Sequence, residues 1–280
     1  MGAFLGAHSA FSVWAEFTGS HGFGEEETGA PGTRNMSRGR TLRVLTRRID
    51  GDGNRRIPDE VIVEEPMSIR LDGELVATTM RTPGDDFELA VGFCVTEGVL
   101  HDLPVRSVRY CGQGSEAASE YNDVTVETGG LAPTPVPRLG STSSSCGVCG
   151  SVAIDELRER LLPLTVEPFD VDVLTGMADR IDGQALFSST GAVHAAAAFD
   201  RTGEPLLLRE DIGRHNAVDK VVGRLYLDGL LPASDLGLWV SGRASFEMAQ
   251  KAWAAGFASL VAVSGPSALA VETARAAGLQ

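Results

Sequence analysis

The chain has 280 residues, 43% hydrophobic and 22% charged, enough to bury the core of one or two domains, so wholesale disorder is excluded. With 38 acidic against 24 basic residues it carries a formal net charge of -14, which excludes nucleic acid or an anionic membrane as a general partner through bulk charge. Four cysteines do not make a disulfide scaffold, no apolar run approaches the roughly 20 residues of a membrane span, and no Lys or Arg precedes Arg34 as a secretory signal requires, so a reducing cytoplasm is expected.

Residues 1–35 are rich in Gly, Ser and Glu without sustained periodicity and read as disordered or as a non-native extension. From Met36 the composition changes, and Arg38, Arg40, Arg43, Arg47 and Arg48 follow closely, the pattern of a solvated strand face. Residues 36–130 are expected to form an N-terminal α+β domain. In it Met67–Leu71 and Glu74–Met80 flank Asp72-Gly73, the dipeptide of a tight hairpin turn. Thr82-Pro83-Gly84 ends the strand, and Asp85 or Asp86 is placed to cap a helix that runs to Glu97 and stops at Gly98. Phe87, Ala90, Val91 and Cys94 recur at helical spacing, which puts Cys94 on a buried face. Val105–Tyr110 and Val124–Val126 read as further strands, with Cys111 structural.

Residues 131–150 read as a flexible loop, with three prolines and then a Ser/Thr cluster before a cysteine pair. Beyond it residues 151–280 alternate as an α/β domain. Helices are expected at 152–162 and 171–182, strands at 192–199 and 205–209, a helix at 215–227, a strand at 236–240, a helix at 245–255, a strand at 258–263 and a helix at 267–277. Two strand-to-helix junctions look alike, Ser241-Gly242-Arg243 and Ser264-Gly265-Pro266. Parallel strands ending this way gather helix N-termini on one edge, where free amides and the helix dipole favour an anion.

Cys146-Gly147-Val148-Cys149-Gly150 leads directly into the first of these helices. Thiols at a helix start meet unpaired N–H groups and the positive dipole end, which favour thiolate, and the glycines leave room for another sulfur to approach. A structural zinc site would take about four ligands, usually two such pairs. A thioredoxin-like pair needs its own βαβ setting, and a zinc deaminase needs His-x-Glu, whereas His194 is followed by Ala195-Ala196. What remains is a nucleophilic thiol pair that handles sulfur or redox equivalents, set against a thiol-disulfide or structural metal-binding module without sulfur transfer.

Two polar blocks accompany the pair, Glu210–Lys220 and Ser241–Glu247. Arg214 and Arg243 suit an anion or carboxylate, and His215 suits capping or proton carriage, while a satisfied network of salt bridges and caps is the alternative. His194, within an apolar run, reads as a satisfied core histidine.

Cys146–Gly150, Ser189–Ala195, Glu210–Lys220, Ser241–Glu247 and Ser264–Ala270 occur in the order seen in the FdhD/NarQ family, and Glu65-Pro66-Met67, Arg81–Asp85 and Gly92-Phe93…Glu97-Gly98 fit its N-terminal part. The chain therefore resembles that family over about residues 36–280. The resemblance implies a cytoplasmic sulfur carrier with a cytidine-deaminase-like C-terminal α/β domain. It implies that sulfur is taken from a cysteine desulfurase as a persulfide and passed, sulfurtransferase-fashion, to the bis-molybdopterin guanine dinucleotide molybdenum cofactor for formate dehydrogenase. By motif match Cys146 is the persulfide cysteine and Cys149 is auxiliary. Arg214, His215, Ser241, Gly242, Arg243, Ser264 and Gly265 become the expected cofactor-binding residues; the chain is expected to be a homodimer and to hold no metal of its own. Two departures are Ala192, where the family often has Gly, and the end at Gly278-Leu279-Gln280, where members usually continue into a short apolar strand that contributes to cofactor binding.

Overall fold

The computed structural model describes residues 39–50, 53–101, 103–110, 121–134 and 150–280. Cys111, Cys146, Cys149 and the loop from residue 135 onward lie outside them, as do residues 1–35.

Strands β1 (Thr41–Asp50) and β2 (Gly53–Ile62) pair antiparallel into a ribbon of their own, so Arg43, Arg47 and Arg48 stand on a strand as expected, one of a hairpin pair. Next come β3 (Glu65–Leu71) and β4 (Glu74–Arg81), joined at Asp72 and Gly73, whose φ values of 49 and 89° are the left-handed pair that an Asp-Gly hairpin turn requires. Helix α1 (Asp86–Thr96) follows, then β5 (Ser107–Tyr110) and β6 (Asp123–Glu127), completing a sheet of order β4-β3-β6-β5. Met67, Ile69, Val124 and Val126 project from that sheet onto Leu89, Ala90 and Cys94 of α1, all fully buried. Asp85 does stand at the N-cap of α1, but its backbone is left-handed and its carboxylate caps nothing; it accepts from Arg40 Nη2 at 2.7 Å.

The C-terminal half opens with α2 (Gly150–Arg160). The single helix expected over 171–182 is two short ones, α3 (Val171–Thr175) and α4 (Met177–Arg180), with Gly176, a poor helix former, as the C-cap of the first and the N-cap of the second. Helix α5 (Ala185–Thr190) has no apolar periodicity to announce it. Strands β7 (His194–Phe199) and β8 (Pro205–Asp211), helix α6 (Arg214–Leu227), β9 (Gly237–Arg243), α7 (Phe246–Ala255), β10 (Ser259–Ser264) and α8 (Ala268–Ala277) finish the chain. The sheet order is β10-β9-β7-β8, with β9 and β10 parallel and β7 antiparallel to both neighbours. The alanines of β7 are covered on both faces. Ala196 and Ala198 join the core under α6 and α7, and Ala195, Ala197 and Phe199 join a second core with Phe169, Met177 and Trp239. Past α8, the main chain of Gln280 bonds to Ala258 and Leu260 on the outer edge of β10.

The two halves meet along α1 and α6, which touch backbone to backbone at Gly92 and Gly223. Among the described residues no helix is long and apolar enough to cross a membrane.

Candidate functional site

The sheet topology brings the sequence-expected residues to one edge. Register pairs His194 at the start of β7 with Asp211 at the end of β8, and Arg243 of β9 with Ser264 of β10. A methyl placed on Gly242 would stand 3.8 Å from His194 Nδ1, so β7 and β9 meet there too. Helices α6, α7 and α8 all begin at this edge, after Gly213, Ser245 and Ser267, and the Ser267 amide donates to the Ala244 carbonyl at 2.9 Å, tying the two Ser-Gly junctions together. Ser241 is half-buried, with its Oγ accepting from the Ala195 amide at 2.9 Å, and Gly242 is half-buried beside it. Arg243, Ser264 and Gly265 are exposed.

The Glu210–Lys220 block divides between two tasks. Four of its side chains hold the halves of the molecule together. Asp211, wholly buried, pairs with Lys220 at 2.8 Å and accepts from the amides of Thr82 at 3.2 Å and Gly213 at 2.8 Å. Lys220 also donates to the Thr82 carbonyl at 3.0 Å, and Asn216 Nδ2 donates to the Met80 carbonyl at 2.8 Å. One turn on, Asp219 accepts from Lys251 at 2.8 Å and from Thr96 Oγ1 at 2.8 Å. Burial pushes the Asp219 carboxyl up to about 6, against the pull of Lys251. These contacts, with the Arg209–Glu88 pair at 2.6 Å, stitch α6, α7 and β8 to α1 and the turn before it. Glu210 accepts from the amides of Leu186 and Phe187 in α5 at 3.0 and 2.8 Å.

Arg214 and His215 are left over. Arg214 Nε and His215 Nε2 are buried without a hydrogen-bond partner among the described residues, and both sit in the first turn of α6 at the shared edge. Burial, then the nearby positive charges of Lys251 and Arg214, hold His215 down to about 4, so its imidazole is neutral at pH 7. His194 is half-buried at the edge rather than in the core, which corrects its reading as a core histidine. Burial and then Arg214 lower it, opposed by Asp211. Burial works against the charge of Glu247, in the first turn of α7, but its own backbone amide and the Arg214 guanidinium outweigh it and hold the carboxyl below its ordinary value. An arginine and two neutral imidazoles beside three helix starts are groups whose chemistry suits an anionic ligand with a hydrogen-bonding ring. His194 and Glu247 stand at the same edge, and only the register of β7 on β8 could have revealed the first.

The cysteine pair is outside the described residues, and the described chain stops at residue 134 and resumes at 150. Asp72 accepts from the amides of Thr128 at 2.7 Å and Ala132 at 3.2 Å and from the Thr128 hydroxyl, which anchors the chain just before the loop. After it, α2 sets Ile154 and Leu157 into the core and Arg160 donates to the Glu97 and Thr96 carbonyls. Cys94 is buried and inert, since burial and then the charges of Asp219 and Glu97 push its thiol far above the usual range.

The sequence profile of the FdhD/NarQ family matches residues 62–280. A Streptomyces avermitilis protein named "Sulfur carrier protein FdhD" is 45% identical over 257 residues, covering 87% of this chain and 90% of its own. One of the same name from Mycolicibacterium paratuberculosis is 47% identical over 232 residues, with 79% and 85% covered. A crystal structure from Desulfotalea psychrophila, described as a proposed formate dehydrogenase accessory protein, superposes with a TM-score of 0.68 at 21% identity over 86% of this chain and 91% of that one, which shows a shared fold.

Proposed function

The chain belongs to the FdhD/NarQ family, and on that premise we propose that it is a sulfur carrier serving formate dehydrogenase. Its sulfur comes from a cysteine desulfurase persulfide. The Cys146 thiolate attacks the outer sulfur; a new S–S bond forms as the donor's S–S bond breaks, the donor thiolate leaves, and oxidation states balance. The recipient, bis-molybdopterin guanine dinucleotide, is the substrate. Release of the carried sulfur as hydrosulfide needs two electrons, and attack of Cys149 on the Cys146 sulfur supplies them as a Cys146–Cys149 disulfide closes.

The observation that carries this reading is the pair of buried, unpartnered nitrogens of Arg214 and His215 at the start of α6. In a block whose other charged side chains are committed to holding the fold, two such groups are explained by a ligand that completes them. A guanine dinucleotide brings phosphates for Arg214, Arg243 and the amides after Ser241-Gly242 and Ser264-Gly265, and a ring edge for His215. The order β10-β9-β7-β8, with β7 antiparallel, supports a cytidine-deaminase-like C-terminal half. A cytoplasmic homodimer is the form in which we expect it to work.

The test is mass spectrometry after incubating the reduced protein with a desulfurase and cysteine. A reductant-labile adduct of about +32 Da is expected on the Cys146 peptide, lost in Cys146→Ala and kept in Cys149→Ala. The converse pattern reverses the two roles. Stoichiometric zinc on the reduced protein without sulfur uptake would replace the proposal by a metal-binding module.

A further inference from the structure

The ribbon of β1 and β2 carries a face that the sulfur-carrier reading does not use. Its Cα partners Arg43↔Glu60, Leu45↔Pro58 and Arg47↔Arg56 all project to one side, because residues two apart in a strand point the same way. The other side, with Val44, Thr46, Ile57 and Val61, is partly buried, and α5 packs against β2. On the first side Leu45 is 64% exposed, Pro58 is exposed, and the Arg43 side chain remains 85% exposed although Glu60 lies 3.5 Å away. Arg47 and Arg56 are exposed, stand directly opposite each other, and have no ion-pair partner among the described residues. Like charges placed opposite each other oppose strand pairing, and an anion held between them relieves the repulsion.

We propose that this face docks an acidic segment of a partner protein, with carboxylates taken by the Arg47/Arg56 pair and by Arg43, and an apolar side chain seated on Leu45 and Pro58 between them. Arginine forks grip carboxylates in two-point contacts and are enriched among the residues that dominate interface energies. An acidic protein segment is favoured over nucleic acid for two reasons. The centre of the face is apolar and offers a sugar-phosphate backbone nothing. In addition, a chain of net charge -14 repels a long polyanion, whereas a short segment feels mainly charges within a screening length of about 8 Å.

The experiment uses the full chain and a fluorescent synthetic peptide of glutamates around a central pair of leucines, followed by anisotropy, with a single-stranded oligonucleotide of equal charge alongside. The peptide is expected to bind the wild type more tightly than the oligonucleotide does. Arg47→Ser/Arg56→Ser should weaken it by about tenfold or more and flatten its salt dependence. Leu45→Ser should weaken the peptide by roughly threefold or more and leave the oligonucleotide unchanged. Thermal unfolding and guanosine diphosphate binding, unchanged in all variants, show that the fold and the other site stand. Equal peptide affinity in wild type and double variant overturns the proposal, as does an oligonucleotide that binds at least as tightly as the peptide. A dimer in sedimentation that dissociates only in the double variant assigns the face to a second copy of the chain and overturns it too.

Discussion

Gly92 of α1 and Gly223 of α6 occupy each other's missing side chains: a methyl on Gly92 would lie 1.8 Å from the Asp219 carbonyl oxygen, and one on Gly223 1.8 Å from that of Glu88. The obstacles are backbone atoms, which no rotamer change moves. Gly92→Ala or Gly223→Ala must therefore part the helices and is expected to cost on the order of 3 kcal/mol in denaturant unfolding. Gly265→Ala, with open space around it and no positive φ, should change stability by less than about 0.5 kcal/mol.

That close approach sets the depth at which the only two lysines sit. Lys220 is 0% and Lys251 3% exposed, and each bridges the two halves. An amine-reactive reagent should modify neither in the native protein, leaving the N-terminal amine as the labelled site, and both after denaturation; mass mapping reads this directly. Lys251→Met strands the Asp219 charge and should cost about 3–5 kcal/mol at pH 8. Burial, and then Glu97, raise the Asp219 carboxyl to about 6 even beside Lys251, and without that ammonium it rises further, so the deficit should shrink as pH falls towards about 6 and level off below it.

His215 has the opposite sign. Its folded value of about 4 lies below the ordinary 6.5, so as pH falls the unfolded chain takes up the proton first. Wild type should be unaffected by this group above pH 6.5 and lose stability relative to His215→Gln between there and about 4, by at most about 1.4 kcal/mol per pH unit. Unfolding curves of both proteins over that range check it; a constant difference would mean that the imidazole is not buried neutral.

Guanosine diphosphate binding ranks the two arginines of the edge. Arg214 has a buried nitrogen awaiting a partner, whereas Arg243 is exposed. Arg214→Ala is expected to weaken binding by about tenfold or more, one charge-assisted hydrogen bond being worth roughly 1.5–3 kcal/mol, and Arg243→Ala to weaken it less. Calorimetric titration separates them, and equal losses would contradict the ranking.

Local signals were enough to read much of this chain from its sequence. Asp72-Gly73 announced a hairpin because its turn demands two left-handed residues, Cys94 fell on the inner face of α1 by helical spacing, and two Ser-Gly turns before helical runs marked the edge where the helix N-termini gather. Only the tertiary structure decided how the Glu210–Lys220 block divides. Asp211 finds Thr82 across 129 residues and Asp219 finds Thr96 across 123, so these side chains belong to the junction of the two halves, while Arg214 Nε and His215 Nε2 find no partner among the described residues. His194 likewise reached the edge through its register with Asp211. A polar side chain shows its type in sequence, but whether it is satisfied depends on a partner that only folding brings within about 3 Å.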